Sequence, residues 1–85
     1  SYASASVTGN PGTTQIEMTI TVYKLVGNDQ ISIKQSTQTV NSMLLDLRVD
    51  FTAEENSYYK IICVVHVTNS EGITESFQKA KYGSN

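Results

Sequence analysis

The sequence has very few of the residues that build disulfides, metal centres and catalytic pairs. Its 85 residues include one cysteine, Cys63, one histidine, His66, one proline and no tryptophan. A single cysteine excludes a disulfide within the chain, and one cysteine with one histidine does not complete a zinc site. We therefore expect no cofactor and no metal, and a fold held together by its hydrophobic core alone.

Long apolar runs and clustered basic residues are also missing. No stretch approaches the ~20 apolar residues that span a bilayer, so no membrane span is expected. The formal net charge is -2, the pI is about 5.1, and the 6 lysine and arginine residues are scattered along the chain. Nucleic-acid-binding proteins usually carry a basic patch, because neutralising phosphates supplies much of their affinity. Nucleic acid is therefore not an expected partner.

What the sequence does contain is typical of β-strands. Val, Ile, Thr and Tyr dominate, while charged residues make up only 16% of the chain. Residues of the first kind fit a pleated, half-buried surface, whereas the usual helix formers are scarce here. A chain of this length forms one domain, which we place at residues 1–85.

Apolar residues recur at every second position, which is the period of a strand with one buried face. The pattern is longest in residues 16–22 and 43–51, and a shorter first strand places Ala3, Ala5 and Val7 on one face. After a break at residues 27–29, Ile31 and Ile33 restart the alternation on a short strand. Residues 35–41 are polar, and they predict either an edge strand or a loop that crosses between sheets.

The C-terminal third predicts a central strand followed by a hairpin. The apolar residues of one strand face are Tyr59, Ile61, Cys63, Val65 and Val67, and the opposite face is also partly apolar. A strand that is apolar on both faces is typical of the middle of a sheet. Residues 69–72 predict a turn with Gly72 in a left-handed conformation, residues 73–80 the returning strand, and residues 82–85 a frayed tail. Residues 52–57 are a polar connection, with a single helical turn as an alternative.

Part of this C-terminal pattern resembles immunoglobulin-like and fibronectin-III domains. Those families place an aromatic residue at the head of strand F, alternate apolar residues after it and turn at an Asn-x-x-Gly, as residues 59–72 do here. The resemblance implies that Tyr59 is a tyrosine corner, with its hydroxyl group bonded to the backbone near Ala53 or Glu54. The spacing from Tyr59 to Asn69 is longer than usual, and the cysteine of strand B and the tryptophan of strand C are missing. An antibody-type domain is therefore excluded, and the expected fold is an Ig-like or fibronectin-III-like antiparallel β-sandwich of six to seven strands.

The whole chain is also similar to small, uncharacterised secreted proteins of anaerobic Gram-positive bacteria. The shared features are a Ser/Ala-rich start, a long Thr/Val strand that ends in Tyr23-Lys24, and the late sequence Tyr58-Tyr59-Lys60. This resemblance implies a secreted or cell-surface location and no particular chemistry. The chain starts at Ser1 without an initiator methionine, which favours the removal of a signal peptide.

The residues that carry chemistry elsewhere do not form a catalytic pair here. Cys63 and His66 are three apart on a strand, so they point to opposite faces, whereas a Cys–His pair needs contact. We interpret Cys63 as a buried, inert core residue and His66 as a residue of a solvated or half-covered sheet face. Asp46, Arg48 and Asp50 share one strand face with the cation in the middle, which indicates local charge balance rather than a pair of catalytic carboxylates.

Two loops share some features with ligand sites. Glu54, Glu55 and Asn56 carry oxygen ligands for calcium, although without the regular spacing of a calcium loop, and we favour a solvated acidic loop. Residues 9–14 lack the Gly-Lys-Ser/Thr ending of a phosphate loop, and turn chemistry explains them.

Tyr23, Tyr58 and Tyr82 fall on outward positions and are the candidate partner-binding residues; Tyr59, Cys63 and Gly72 are assigned structural roles. Exposed tyrosines stack on sugars or anchor protein partners, but they also form ordinary cross-strand pairs. The sequence therefore predicts a non-enzymatic secreted or cell-surface module that binds a protein or a polysaccharide. The alternatives are a subunit that self-assembles into a homo-oligomer or surface fibre through exposed strand edges, and a small secreted inhibitor that uses residues 9–14 or 69–72.

Overall fold

The computed structural model describes residues 1–84 and contains six antiparallel strands in two sheets. The smaller sheet pairs β1 (Tyr2–Thr8) with β4 (Leu44–Asp50). The larger sheet has the order β3-β2-β5-β6, with β2 at Thr13–Val26, β3 at Asp29–Val40, β5 at Tyr58–Asn69 and β6 at Thr74–Ser84. The prediction of an all-β domain is confirmed. Residues 1–84 contain no helix, and the polar connection before β5 is coil with a turn, so the alternative of a single helical turn is wrong.

The core lies between the two sheets and follows the alternation of the sequence. The fully buried side chains all come from one face of β2: Ile16, Met18, Ile20 and Val22. The smaller sheet covers them with Ala3 from β1 and with Leu45, Leu47 and Val49 from β4. Because side chains alternate between the faces of a strand, the intervening polar residues of β4 point to solvent. The faces predicted for these three strands are confirmed.

The turns predicted from glycine are present, and two of them lie together at one end of the domain. Gly12 ends the β1–β2 turn with a φ of 96°, and Gly72 ends the β5–β6 turn with a φ of 79°. These left-handed values are costly for residues with a Cβ atom, which explains the choice of glycine. The backbone N–H of Ser70 donates to the carbonyl oxygen of Gly12 at 2.9 Å, so the two turns support each other.

The prediction for β3 was partly wrong. The short strand with Ile31 and Ile33 and the polar segment after it form one edge strand of 12 residues. Its register against β2 shifts between Val22 and Tyr23, which leaves Ile33 without an opposite residue. An inserted residue of this kind is a β-bulge, and it breaks the alternation between faces. Ile31 and Ile33 therefore do not share a buried face, and both are exposed.

The predicted frayed tail was also wrong for the residues that the structure describes. β6 continues to Ser84, with Tyr82 opposite Lys60 and Ser84 opposite Tyr58. Its side chains are exposed along the whole strand, so the backbone ladder with β5, rather than burial, extends it. Asn85, the last residue of the predicted tail, lies outside the described residues.

The two sheets differ in width, and this difference positions the candidate sites. The smaller sheet contacts β2 and β3, with β4 over β3 and β2 and with β1 over β2. β5 is a central strand, as predicted. On its inner face only Tyr59 and Val65 are buried, and the other side chains are half-buried. The inner faces of β5 and β6 are therefore left largely uncovered.

Candidate functional site

A groove of about 1060 Å³ runs between β1 and the uncovered inner face of β5 and β6. One wall is β1 along its whole length, and the floor consists of the inward side chains of β5 and β6. Its volume is slightly above the range of about 300–1,000 Å³ for small-molecule sites, and the groove is open to solvent. This shape fits an extended ligand better than an enclosed small molecule.

The floor of the groove is apolar and its outer rim is cationic. Ile61, Cys63 and Val65 of β5 lie beside Phe77 of β6, which is directly opposite Val65. Farther along β6 the residues opposite Cys63 and Ile61 are Lys79 and Lys81, so both lysines belong to the same inner face. The described residues that line the groove include these two lysines and no aspartate or glutamate. The groove is thus positively charged although the chain carries a net charge of -2.

Cys63 faces the core side of β5, as predicted, but it is only half-buried and lies in the groove. The expectation of a buried core residue holds in part, because Cys63 packs against the core cluster but is not fully covered. Burial raises the pKa of the Cys63 thiol, and the Lys79 ammonium group opposes this shift. The thiol is therefore mainly protonated near neutral pH, and its reaction with disulfide reagents is slowed.

The wall formed by β1 has an open backbone edge. At its two ends the N–H of Phe51 donates to the carbonyl oxygen of Ser1 at 3.0 Å, and the N–H of Gly9 donates to the carbonyl oxygen of Met43 at 2.7 Å. Since the register between β1 and β4 is unbroken, the odd-numbered residues of β1 form the hydrogen-bonded pairs with β4. The even-numbered residues of β1 therefore direct their backbone N–H and C=O groups away from β4; they are Tyr2, Ser4, Ser6 and Thr8. Among the described strands β1 pairs with β4 alone, so these groups form an open edge.

The three tyrosines predicted to bind a partner lie together on the outer face of the larger sheet. Lys60 of β5 is opposite Tyr23 of β2 on one side and opposite Tyr82 of β6 on the other. The Lys60 ammonium nitrogen lies 5.8 Å from the centre of the Tyr82 ring, and Tyr58 precedes Lys60 by one step on the same face. Tyr58 and Tyr82 are about two-thirds exposed, at 64% and 65%. We call Tyr23, Tyr58, Lys60 and Tyr82 the tyrosine cluster.

The remaining polar candidates have partners that give them structural roles. Nδ1 of His66 lies 2.7 Å from the hydroxyl oxygen of Ser76 on the outer face of the larger sheet, opposite to the face that carries Cys63. Nε of Arg48 donates to a carboxylate oxygen of Asp50 at 3.1 Å, and the Arg48 guanidinium group lies 4.1 Å from the centre of the Tyr2 ring. Asp46 accepts a hydrogen bond from Ser6. Asp46, Arg48 and Asp50 are exposed and His66 is half-buried, as expected for solvated or half-covered sheet faces.

The acidic loop before β5 is tied to the sandwich rather than free. Glu54 accepts a hydrogen bond from the Lys24 ammonium group at 2.5 Å, and this bond raises the pKa of Lys24. The backbone N–H of Glu54 donates to the hydroxyl oxygen of Tyr59 at 2.6 Å, which is the contact expected for a tyrosine corner. Within residues 1–84 no group of three or more His, Cys, Asp or Glu residues is placed to hold a metal ion. In the same residues, no helix is long and apolar enough to cross a membrane.

Sequence reasoning did not find the groove or its two lysines. One signal was available: in β6 the residues that share a face with Phe77 include Glu75, Lys79 and Lys81. A strand whose inner face is mostly charged is not covered by a second sheet, because buried charges are costly unless they are paired. The alternation in β5 does not indicate that its inner face is uncovered, since the residues of that face are apolar throughout.

Comparison with known proteins gives no match that would assign a family. No family model matches the chain, and neither a curated protein nor a solved structure is significantly similar to it.

Proposed function

We propose that the protein is a non-enzymatic interaction module that works outside the cell, as a secreted or cell-surface domain, and binds its partner through the tyrosine cluster. The observation that carries this proposal is the row Tyr23–Lys60–Tyr82, which crosses three neighbouring strands with Tyr58 beside it. Tyrosine supplies a large contact area with little side-chain entropy to lose, and interface anchors are enriched in it. A cation between aromatic rings adds the polar contact that orients a ligand.

The absence of a reacting pair among the described polar residues supports a binding role. Cys63 and His66 lie on opposite faces of the larger sheet, and the Cys63 thiol has no described base beside it. Asp46 and Asp50 project to solvent on either side of Arg48, which pairs with Asp50. A partner surface needs neither a nucleophile nor a base.

The fold that we propose in more detail is an Ig-like or fibronectin-III-like sandwich. The order β3-β2-β5-β6 corresponds to strands C′-C-F-G of such domains, and β1-β4 corresponds to B-E. The hydrogen bond from Glu54 to Tyr59 supports this correspondence, because it ties the chain before β5 to the head of that strand. The Ser/Thr-rich, weakly acidic composition and the resemblance to small secreted bacterial proteins support the extracellular location.

Alanine substitution in the tyrosine cluster is the test of this function. Tyr58→Ala and Tyr82→Ala are expected to weaken partner binding by about tenfold or more, because each removes an exposed anchor. The free energy of unfolding should change by no more than about 0.5 kcal/mol, since both side chains are mostly solvated. The measurement is a pull-down with the immobilised domain from cell-wall polysaccharide and from bacterial culture-supernatant proteins, followed by titration with the retained component.

Tyr2→Ala is the matched control, because Tyr2 is a similarly exposed tyrosine on the other sheet. It should retain the partner with wild-type affinity. A partner that binds equally well to Tyr82→Ala and to the wild type, or that is lost equally with Tyr2→Ala, would contradict the proposal. A partner retained from the cell-wall polysaccharide indicates a polysaccharide ligand, and one retained from the culture supernatant indicates a protein ligand.

A further inference from the structure

We propose a second binding site, separate from the tyrosine cluster, at which the groove accepts an extended acidic segment of another protein as an additional strand beside β1. The segment would hydrogen-bond to the open edge of β1 and place its inward side chains over β5 and β6. Strand addition of this kind takes its affinity from the main chain and its specificity from the side chains that alternate into the groove.

The spacing of the groove matches a strand. A strand added to β1 lies about 4.8 Å beyond it in the plane of the smaller sheet, and about 10 Å above the larger sheet. That position is over β5 and β6, where Ile61, Cys63 and Phe77 are only partly covered. The open edge offers donors and acceptors from Tyr2 to Thr8, a segment of 7 residues. An inserted strand would therefore satisfy the backbone edge and cover the apolar floor together.

β1 is also the edge that the sequence leaves unprotected. Natural sheets protect their edges with charged side chains, prolines and bulges. β3 carries a bulge and Lys34, β4 carries alternating charged residues, and β6 directs charged residues inward. β1 has no charged residue, no proline and an unbroken register. The other three strand edges are thus closed to addition by features that β1 lacks.

The positive charge of the groove favours an acidic segment as the occupant. Lys79 and Lys81 are the charged side chains that line the groove within the described residues, and they are two residues apart on one face of β6. A segment whose inward positions are apolar beside Phe77 and acidic beside Lys79 and Lys81 covers the floor and places carboxylates near these ammonium groups. Basic segments are disfavoured by the same two lysines.

A second copy of the chain does not fit as the occupant. Antiparallel pairing of β1 with β1 of another copy requires a two-fold axis perpendicular to the sheet, which places both larger sheets on the same side. β5 and β6 of one copy would then collide with the larger sheet of the other copy. The occupant is therefore a strand that brings no second sheet with it on that side.

The test uses a blocked peptide of about nine residues, a length that spans β1, with threonine at the outward positions and with valine followed by glutamate at the inward positions. Its binding should slow amide hydrogen exchange at Ser4 and Ser6, and should slow the reaction of Cys63 with an aromatic disulfide reagent. A peptide with lysine in place of glutamate should bind about tenfold more weakly. A peptide with a central proline should not bind, because proline removes a ladder donor and distorts the strand.

The variant Lys79→Glu/Lys81→Glu should reverse the preference in favour of the lysine peptide, whereas Lys34→Glu, outside this groove, should leave the preference unchanged. Three results would overturn the proposal. They are no binding of the glutamate peptide, binding that protects the edge of β3 or β6 in place of Ser4 and Ser6, and protection of Ser4 and Ser6 in a homo-oligomer without peptide. None of them bears on the tyrosine cluster: Tyr82 also borders the groove, but its ring lies beside Lys60 on the opposite face of the larger sheet.

Discussion

Ile20→Ala is expected to lower the free energy of unfolding by about 2–5 kcal/mol. Ile20 is 1% exposed and lies in the middle of β2, between Ser36 of β3 and Cys63 of β5. Its truncation removes buried methyl groups and leaves a cavity that the two sheets cannot fill without moving. A domain of this size has a total stability of about 4–13 kcal/mol, so this single loss is a large fraction of it.

Urea denaturation followed by circular dichroism measures this effect, and Ile31→Ala is the matched control. Ile31 is also a strand isoleucine, but it is 51% exposed, so its truncation should cost about 0.5 kcal/mol or less. If Ile20→Ala does not fold, Ile20→Val should still lower the stability by about 0.5–1.5 kcal/mol. Equal effects of the changes at positions 20 and 31 would mean that the core does not lie between the two sheets as described.

Tyr59→Phe is expected to lower the free energy of unfolding by about 1–3 kcal/mol. The substitution keeps the ring, which is buried and lies 5.4 Å from the Phe51 ring between centroids. It removes only the hydroxyl oxygen that accepts the backbone N–H of Glu54 at 2.6 Å. An N–H group near the core then has no acceptor, and the loop before β5 loses its anchor to the sheet.

The neighbouring residue supplies the control for this second change. Tyr58→Phe makes the same chemical change at a side chain that is 64% exposed and should leave the denaturation midpoint almost unchanged. Each kcal/mol lost should lower Tm by about 4–8 °C in a domain of this size, so thermal melts distinguish the two variants. A Tyr59→Phe protein as stable as the wild type would show that the corner contact does not hold the loop.

The strand faces of the core could be predicted because burial there follows one local rule. Ile16, Met18 and Ile20 alternate with polar residues, and Leu45 and Leu47 do the same in β4. A period of two leaves only the choice of which face is buried, and the apolar residues decide it. The turns were equally local, since Gly12 and Gly72 take conformations that other residues avoid.

Features that depend on the backbone or on distant strands could not be predicted in this way. The bulge opposite Val22 and Tyr23 places Ile31 and Ile33 outside a common face, although their spacing in the sequence is regular. The extension of β6 to Ser84 rests on main-chain pairing with β5, to which the polar side chains of the tail contribute no signal. Strand pairing between β1 and β4 joins residues far apart in the sequence, and no local pattern encodes it.

The two candidate sites differed in how far they could be predicted from the sequence. Tyr23, Tyr58 and Tyr82 could be named from the sequence because outward positions follow from the alternation, but their meeting around Lys60 depends on the registers of three strands. The groove depends on where the smaller sheet ends. The apolar inner face of β5 has the same alternation whether or not a second sheet covers it, so Cys63 could not be distinguished from a fully buried cysteine.

Amide hydrogen exchange along β1 of the free protein tests most directly the claim that the sandwich is open at this edge. The amides of Ala3, Ala5 and Val7, which are paired with β4, should exchange at least about tenfold more slowly than those of Ser4 and Ser6, which point into the groove. This alternation from residue to residue is the predicted result. Uniform protection along β1 would show that its outer edge is already paired in solution, and uniformly fast exchange would show that β1 is not held by β4; either result would contradict the open sandwich.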